Sequence, residues 1–297
     1  MSGGHGHSRR KHLNASRGFP VTVGIIGLGL IGGSFAKAAA QAGHLVQVWN
    51  RTRATAEMAV SEGVAQAVLE DDIGACDVVV VALPPAAVAP WICAHEATFK
   101  QGAVVVDATG VKSVICKALE KFAFQSRWTF VGGHPMAGRE VNGFDNASAD
   151  LFKGASMILT PYPSCGRGPL DMLETFFKSL GFGRIVITTP EHHDRMIALT
   201  SQLAHVVSSA YVQDPLALEH RGYSAGSFHD MTRVARLDPD IWRDLFLENS
   251  SALLDALDGL IARLGEYRRA IAAEDGAALR ELLAAGRTAR MATLADR

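Results

Sequence analysis

From residue 20 onward the chain alternates short β-branched runs with stretches of helical spacing. "VTVGIIG" precedes a helix over Leu30–Ala42, "HLVQVWN" one over 53–62, "DVVVVAL" a third, and "AVVVDAT" a fourth over 113–124. Runs that are apolar at nearly every position belong to strands covered on both faces, and a helix between two such strands returns the chain so that they run parallel. The pattern predicts a parallel sheet with helices on both sides. Three later runs, "WTFVGG", "SMILTP" and "GRIVITT", extend the same sheet, the last two joined by a helix over 169–180. The uncharged stretch 78–94 is almost long enough to cross a membrane, but Pro84, Pro85 and Pro90 make it a buried strand, a loop and a helix. After Pro190 the strand patterns stop and Ala, Leu, Arg and Glu recur at helical intervals. The expected organisation is therefore a tail over 1–19, an α/β domain over 20–189 and an all-α domain over 190–297.

The longest helix of that second domain is expected over 240–272, with Trp242, Phe246, Leu253, Leu257, Leu260, Leu264 and Ile271 at approximate helical spacing. Such a stripe either packs into the domain's own core or meets a second copy of the chain. A domain of about a hundred residues has little core to cover so long an apolar face.

"VGIIGLGLIGGS" places Gly27, Gly29 and Gly32 as G-x-G-x-x-G directly after the first strand and at the start of its helix. Gly27 suits a tight turn, Gly29 a close approach of backbone to a pyrophosphate, and Gly32 close packing of helix on strand, while the helix N-terminus supplies amide donors. This marks a Rossmann-type dinucleotide-binding domain. Leu28, Leu30 and Ile31 in the turn, Leu83 and Pro84 after the Val-rich strand, and Thr109 after the next one complete the expected cofactor contacts. The second strand ends "VQVWNRTR", without the carboxylate that holds a ribose 2′-hydroxyl in NAD-binding domains. Asn50, Arg51, Thr52 and Arg53 offer instead groups that suit a 2′-phosphate, so NADP is favoured and NAD is the alternative.

A net charge of −1 gives no broad attraction to nucleic acid or to an anionic membrane, and points to a small ligand held by local charges. The four cysteines, Cys76, Cys93, Cys116 and Cys165, are widely spaced and have no histidine at metal-ligand spacing. Neither a disulfide framework nor a metal site is expected, and a reducing cytoplasm fits. The first nineteen residues have no apolar segment of the kind a secretory signal carries and read as a disordered tail.

One stretch resists this reading. "VGGHPMAG" sets His134 between a glycine pair and a proline, in a segment too irregular for a helix or an interior strand. On residue type alone His134 is a structural histidine in a turn. With "GLGLIGGS" a hundred residues earlier, and with "TPEHHD", "SQLAH" and "GSFHDMTRVARLDPDIWRDLFLEN" following in order, the chain resembles the prephenate dehydrogenase family over residues 21 to 290. That family includes arogenate and cyclohexadienyl dehydrogenases. The resemblance implies a nucleotide-binding domain, a helical dimerisation domain making a homodimer, and a substrate cleft between the two. It also implies oxidative decarboxylation of a cyclohexadienol carboxylate to a phenol, on the route to tyrosine.

By the same resemblance His134 is the hydrogen-bond acceptor and base for the substrate hydroxyl, a task a neutral imidazole suits. His205 contacts the substrate, with Ser201 in the same pocket. Arg233 binds a substrate carboxylate, or alternatively pairs with Asp230 or Asp238. Glu140 lies at the pocket mouth beside Arg139, while Gly226 and Trp242 close the site from the second copy. Gly132, Gly133 and Gly138 are expected to let cofactor and substrate come close.

Two departures from the family pattern stand out. Gly110 occupies the place of a serine near the nicotinamide in "DATGVKS", so Thr109 or Ser113 is expected to supply the hydroxyl, or else His134 is less firmly oriented. Gln202 and Ala204 replace residues of the family's S-H-L-P-H. The readings that follow are a prephenate dehydrogenase, an arogenate or dual-specificity enzyme, a related dehydrogenase acting on a prephenate-like acid, or a dinucleotide-binding sensor without catalysis.

Overall fold

The computed structural model describes residues 20–70, 73–124, 127–139 and 141–294. The tail over 1–19 lies outside them. Two compact units divide between His193 and Asp194. This is four residues beyond the place where strand patterns stop, because the first turn of the next helix still belongs to the first unit.

In the first unit β1 (Thr22–Ile26), β2 (Leu45–Trp49), β3 (Ala67–Val68), β4 (Val78–Val81), β5 (Val104–Asp107), β6 (Thr129–Pro135), β7 (Ser156–Pro161) and β8 (Arg184–Ile187) form one sheet. Its order is β3-β2-β1-β4-β5-β6-β7-β8. The helices between the strands are α1 (Leu30–Ala42), α2 (Arg53–Ser61), α3 (Pro85–His95), α4 (Ser113–Ala118) and α5 (Arg167–Ser179). Alternate side chains of the strands go to opposite faces. Val23, Ile25, Val46, Val48, Val78 and Val80 pack with Phe35 and Phe177, whereas Ile26, Val79, Val81, Val105 and Phe130 pack with Trp91 and Ile92. Each such side chain contributes about 1.5–3 kcal/mol on burial, which is why the strands read as unbroken apolar runs.

The sheet is mixed rather than wholly parallel, since β7 runs antiparallel to β6. Between them the described residues form a 3-10 turn, Phe144–Asn146, and no α-helix. Without a crossover helix the chain re-enters the sheet beside the strand it has just left, pointing back. Three further expectations need correction. The helix over 113–124 stops at Ala118, where buried Leu119 (φ −104°, ψ 7°) turns inward, and only a 3-10 turn follows. The segment around His134 is an interior strand, β6, paired with β5 on one side and β7 on the other. Its Gly132 and Gly133 serve protein packing. A Cβ on Gly132 would lie 2.2 Å from Thr160 Oγ1, and one on Gly133 2.5 Å from the Asp107 carbonyl, while only Gly138 faces open space.

Beginning at Asp194 the second unit is helical. After α6 (Pro190–Ile197), which starts in the first unit, come a π-helical turn (Ala198–Gln202), α7 (Leu203–Val212), α8 (Gly226–Thr232), α9 (Pro239–Glu248), α10 (Ser250–Ala272) and α11 (Gly276–Ala292). The helix expected over 240–272 is thus two helices, broken at Asn249. That side chain is buried and donates to the Asp194 carbonyl at 2.9 Å and to Gln202 Oε1 at 2.7 Å, with its backbone at φ −113°, ψ 25°. The apolar stripe also divides. Leu253, Leu257, Leu260 and Phe246 join a core with Ala198 and Leu203, but Leu264 and Ile271 are 57% and 61% exposed. Among the described residues no helix is long and apolar enough to cross a membrane.

Candidate active site

At the carboxyl ends of β1 and β4 the chain leaves in opposite directions, which opens a crevice of the kind that binds dinucleotides. Gly27 turns there with φ +94° and donates its N–H to the Trp49 carbonyl at 2.8 Å. A Cβ on it would lie 2.6 Å from the Ala82 carbonyl, and one on Gly32 only 1.8 Å from the Gly27 carbonyl, so both positions need glycine for packing. At Gly29 nothing lies within 4 Å, and no side chain caps the N-terminus of α1. Uncapped amides beside open space suit a pyrophosphate. Leu28 and Leu30 are buried beneath the turn and Ile31 is half-buried, while Leu83 packs beside Gly27 and Pro84 is exposed ahead of α3.

Asn50 follows β2 and braces the glycine turn: its Oδ1 accepts the Leu28 N–H at 3.0 Å and its Nδ2 donates to the Thr52 carbonyl at 3.0 Å. The two arginines here differ. Arg53 is held by Glu57 at 2.8 Å and Glu70 at 3.0 Å, whereas exposed Arg51 has no ion pair among the described residues. Arg53 is therefore engaged by carboxylates, contrary to its expected readiness for a phosphate.

Asp107 ends β5, and with Lys112 it forms an ion pair in which both side chains are 0% exposed. The three donors of the Lys112 ammonium meet the Asp107 carboxylate, Thr109 Oγ1 at 3.0 Å and the Gly133 carbonyl at 2.6 Å. Asp107 also accepts the Gly133 N–H at 2.9 Å, the Thr109 N–H at 2.9 Å and the Thr109 hydroxyl at 2.5 Å. This corrects the expectation that Thr109 offers a hydroxyl to ligands, since that hydroxyl is buried in the network. The same network braces the residue before His134, because Gly133 is gripped at both its N–H and its carbonyl. Half-buried Ser113 opens α4.

His134 emerges half-buried near the carboxyl end of β6. Its Nδ1 lies 2.9 Å from Nε2 of His193 on α6, with the rings at 63°. His193 is 1% exposed. Sequence reasoning gave no role to His193, which stands in "TPEHHD", or to Asp107. The signal for the first was a histidine pair just inside a proline-started helix, and for the second an acid and a lysine five residues apart at a strand's end. Arg139 lies exposed beyond β6, and Glu140 is outside the described residues.

In the second unit the π-helical turn delivers His205 one turn into α7. Its Nδ1 meets the Ser201 carbonyl at 2.9 Å, so the ring donates there and Nε2 is its remaining polar atom. The indole of Trp242 stacks on it, with centroids 3.8 Å apart at 28°. Trp242, expected to reach the site from a second copy, thus packs on a histidine of its own chain. Gln202, the departure from the family pattern, is buried and bonds to the Leu245 carbonyl at 2.9 Å and to Asn249, tying the turn to the α9–α10 junction. Arg233 sits in a 3-10 turn that packs on α7, is exposed, and pairs with neither Asp230 nor Asp238. Asp238 instead caps α9. Gly226 opens α8 with open space around it.

Known proteins with this arrangement are consistent in kind. Residues 35–188 match the prephenate dehydrogenase nucleotide-binding domain and residues 189–285 the prephenate dehydrogenase dimerization domain. A cyclohexadienyl dehydrogenase of Zymomonas mobilis is 34% identical, over 92% of this chain and 96% of its own length. The crystal structure of Synechocystis arogenate dehydrogenase superposes with a TM-score of 0.82 at 26% identity, covering 92% of this chain and 99% of that one. Prephenate dehydrogenase from A. aeolicus, in complex with hydroxyphenyl propionate and NAD+, gives 0.80 at 27% identity, covering 95% and 100%. With a Rossmann-type domain, a helical dimerisation domain and matches along both, this chain is an NAD(P)-dependent oxidoreductase and belongs to the prephenate dehydrogenase family.

Proposed function

We propose that the chain oxidatively decarboxylates prephenate to 4-hydroxyphenylpyruvate, with NADP preferred as hydride acceptor, in tyrosine biosynthesis. The observation that carries this is the placement of His134 on the same sheet edge as the glycine turn, with its ring held by a buried partner. A nicotinamide bound beyond the glycine turn would supply the acceptor for a hydride from the substrate's C4. His134 accepts the C4 hydroxyl proton as that oxygen becomes a carbonyl. Carbon dioxide then leaves with its carbon–carbon bond electrons entering the ring, and the proton returns to the resulting phenolate oxygen.

His205 and Ser201 bind the substrate, with Trp242 holding the His205 ring flat. Arg233 takes a carboxylate, for which its lack of an ion pair among the described residues suits it. Arg139, Ser113 and Gly226 are assigned to substrate binding on the same reading, as is Glu140. Support for NADP comes from Arg51 and Thr52 beside a strand end without a carboxylate, and NAD is the second reading because Arg53 is engaged elsewhere. The homodimer forms through α10, whose Leu254, Ile261, Leu264 and Ile271 are exposed in the single chain.

Arogenate is the alternative substrate, favoured by the likeness to the Synechocystis enzyme. Specificity constants measured for prephenate and arogenate with each cofactor test the proposal. Prephenate with NADP is expected to be highest, and a large excess for arogenate or for NAD would overturn the corresponding half. His134→Asn is expected to bind cofactor yet lose most turnover, and near-native turnover in that variant would refute the base.

A further inference from the structure

We propose that His193 is a positioning residue that sets the tautomer of His134 and shares the positive charge that forms on it. The inference rests on the reading of His134 as base. In a bond between two neutral imidazoles only one nitrogen carries the shared hydrogen. If His193 Nε2 donated, His134 would hold its own hydrogen on Nε2 and have no lone pair there for a substrate hydroxyl. With the hydrogen on His134 Nδ1 and the lone pair on His193 Nε2, 2.9 Å away, the second nitrogen of His134 is basic. Proton uptake at that nitrogen turns the bond into a charge-assisted one, which is stronger in the charged state. A carboxylate holds the imidazole of a serine-protease triad by the same logic. Here the acceptor is a neutral ring.

The surroundings hold the backbone at both rings in place. His134 follows Gly133, which the Asp107–Lys112 pair grips from both sides. His193 is 1% exposed and one turn into α6, with its backbone N–H donating to the Thr189 carbonyl at 3.0 Å. With both backbones fixed and His193 enclosed, the bond between the rings selects one of two tautomers.

Two substitutions test this. The amide oxygen of His193→Gln reaches the position of Nε2, whereas the shorter His193→Asn reaches only that of Nδ1. With rates expressed per cofactor-binding site, so that unfolded protein does not count, His193→Gln is expected within about threefold of the native kcat. His193→Asn is expected to fall on the order of 10–100-fold in kcat with cofactor KM unchanged. Its acidic limb in the kcat–pH profile should move to lower pH, because the protonated base has lost its acceptor. Nitrogen-15 NMR of histidine-labelled native protein is expected to find His134 as the Nδ1–H tautomer at high pH. A native kcat and pH profile in His193→Asn, equal impairment of both variants, or an Nε2–H tautomer at His134 would each overturn the inference. A dead His134→Asn alongside an unimpaired His193→Asn would sink this inference alone, whereas an active His134→Asn would sink the base assignment beneath it.

Discussion

Replacing Lys112 by methionine removes the ammonium from a site where it meets three acceptors and where neither it nor Asp107 is exposed at all. Methionine keeps most of the stem's volume, so the change isolates the charge. Asp107 would retain the N–H groups of Gly133 and Thr109 and the Thr109 hydroxyl, but as a carboxylate without its counter-ion. Breaking a buried pair by removing one partner costs about 3–5 kcal/mol. For a unit of this size each kcal/mol moves the midpoint by about 2–4 °C, so thermal unfolding followed by circular dichroism should show Tm lowered by about 6–20 °C. Adding Asp107→Asn to Lys112→Met removes the stranded charge and keeps an acceptor for Gly133. The double variant should therefore melt higher than Lys112→Met alone, and both should turn over more slowly than native protein because the backbone before His134 is less firmly held. A Tm for Lys112→Met within 2 °C of native, or a double variant no more stable than the single one, would refute the account of the brace.

Three other outcomes follow from the geometry. Gly29→Ala places its methyl in open space and should leave Tm nearly unchanged while weakening dinucleotide binding, whereas Gly32→Ala drives a Cβ onto the Gly27 carbonyl and should lose about 1–3 kcal/mol as well, measured by denaturant titration. Trp242→Ala removes the indole stacked on His205 and should raise substrate KM by about two- to tenfold with cofactor KM unaffected, in steady-state kinetics. Burial pushes the His44 imidazole below its ordinary value of 6.5. The unfolded chain therefore takes up that proton first, so the stability from neutral His44 is complete above about pH 6.5 and is lost as pH falls below it. Native Tm should drop more between pH 7.5 and 5.5 than that of His44→Asn, which keeps an acceptor for the Val21 N–H, and equal drops would exclude His44 as the cause.

Much of this molecule can be read directly from its residues. Val78–Val81 is apolar on both faces because both faces are covered, and Gly27, Gly29 and Gly32 follow a strand at the spacing a phosphate turn needs. These are local properties, since periodicity and backbone freedom travel with the segment wherever it folds. The family motifs likewise lie in short contiguous stretches. What depends on residues distant in sequence was not legible. Asn249 breaks a helix because its side chain bonds to Gln202 and Asp194, some fifty residues earlier. "VGGHPMAG" has the look of an irregular segment because its glycines carry no side chains whose alternation would mark a strand. In the folded chain Gly132 and Gly133 lie where Thr160, Cys116, Asp107 and Val106 crowd an interior strand. The sequence alone determined that a doubly covered sheet carries a dinucleotide turn and that His134 stands in a family motif. Tertiary structure decided how that histidine is held, because the ammonium of Lys112 and the carboxylate of Asp107 reach Gly133 beside it, and the ring of His193 reaches His134 itself, only when β5, β6 and the starts of α4 and α6 are packed together.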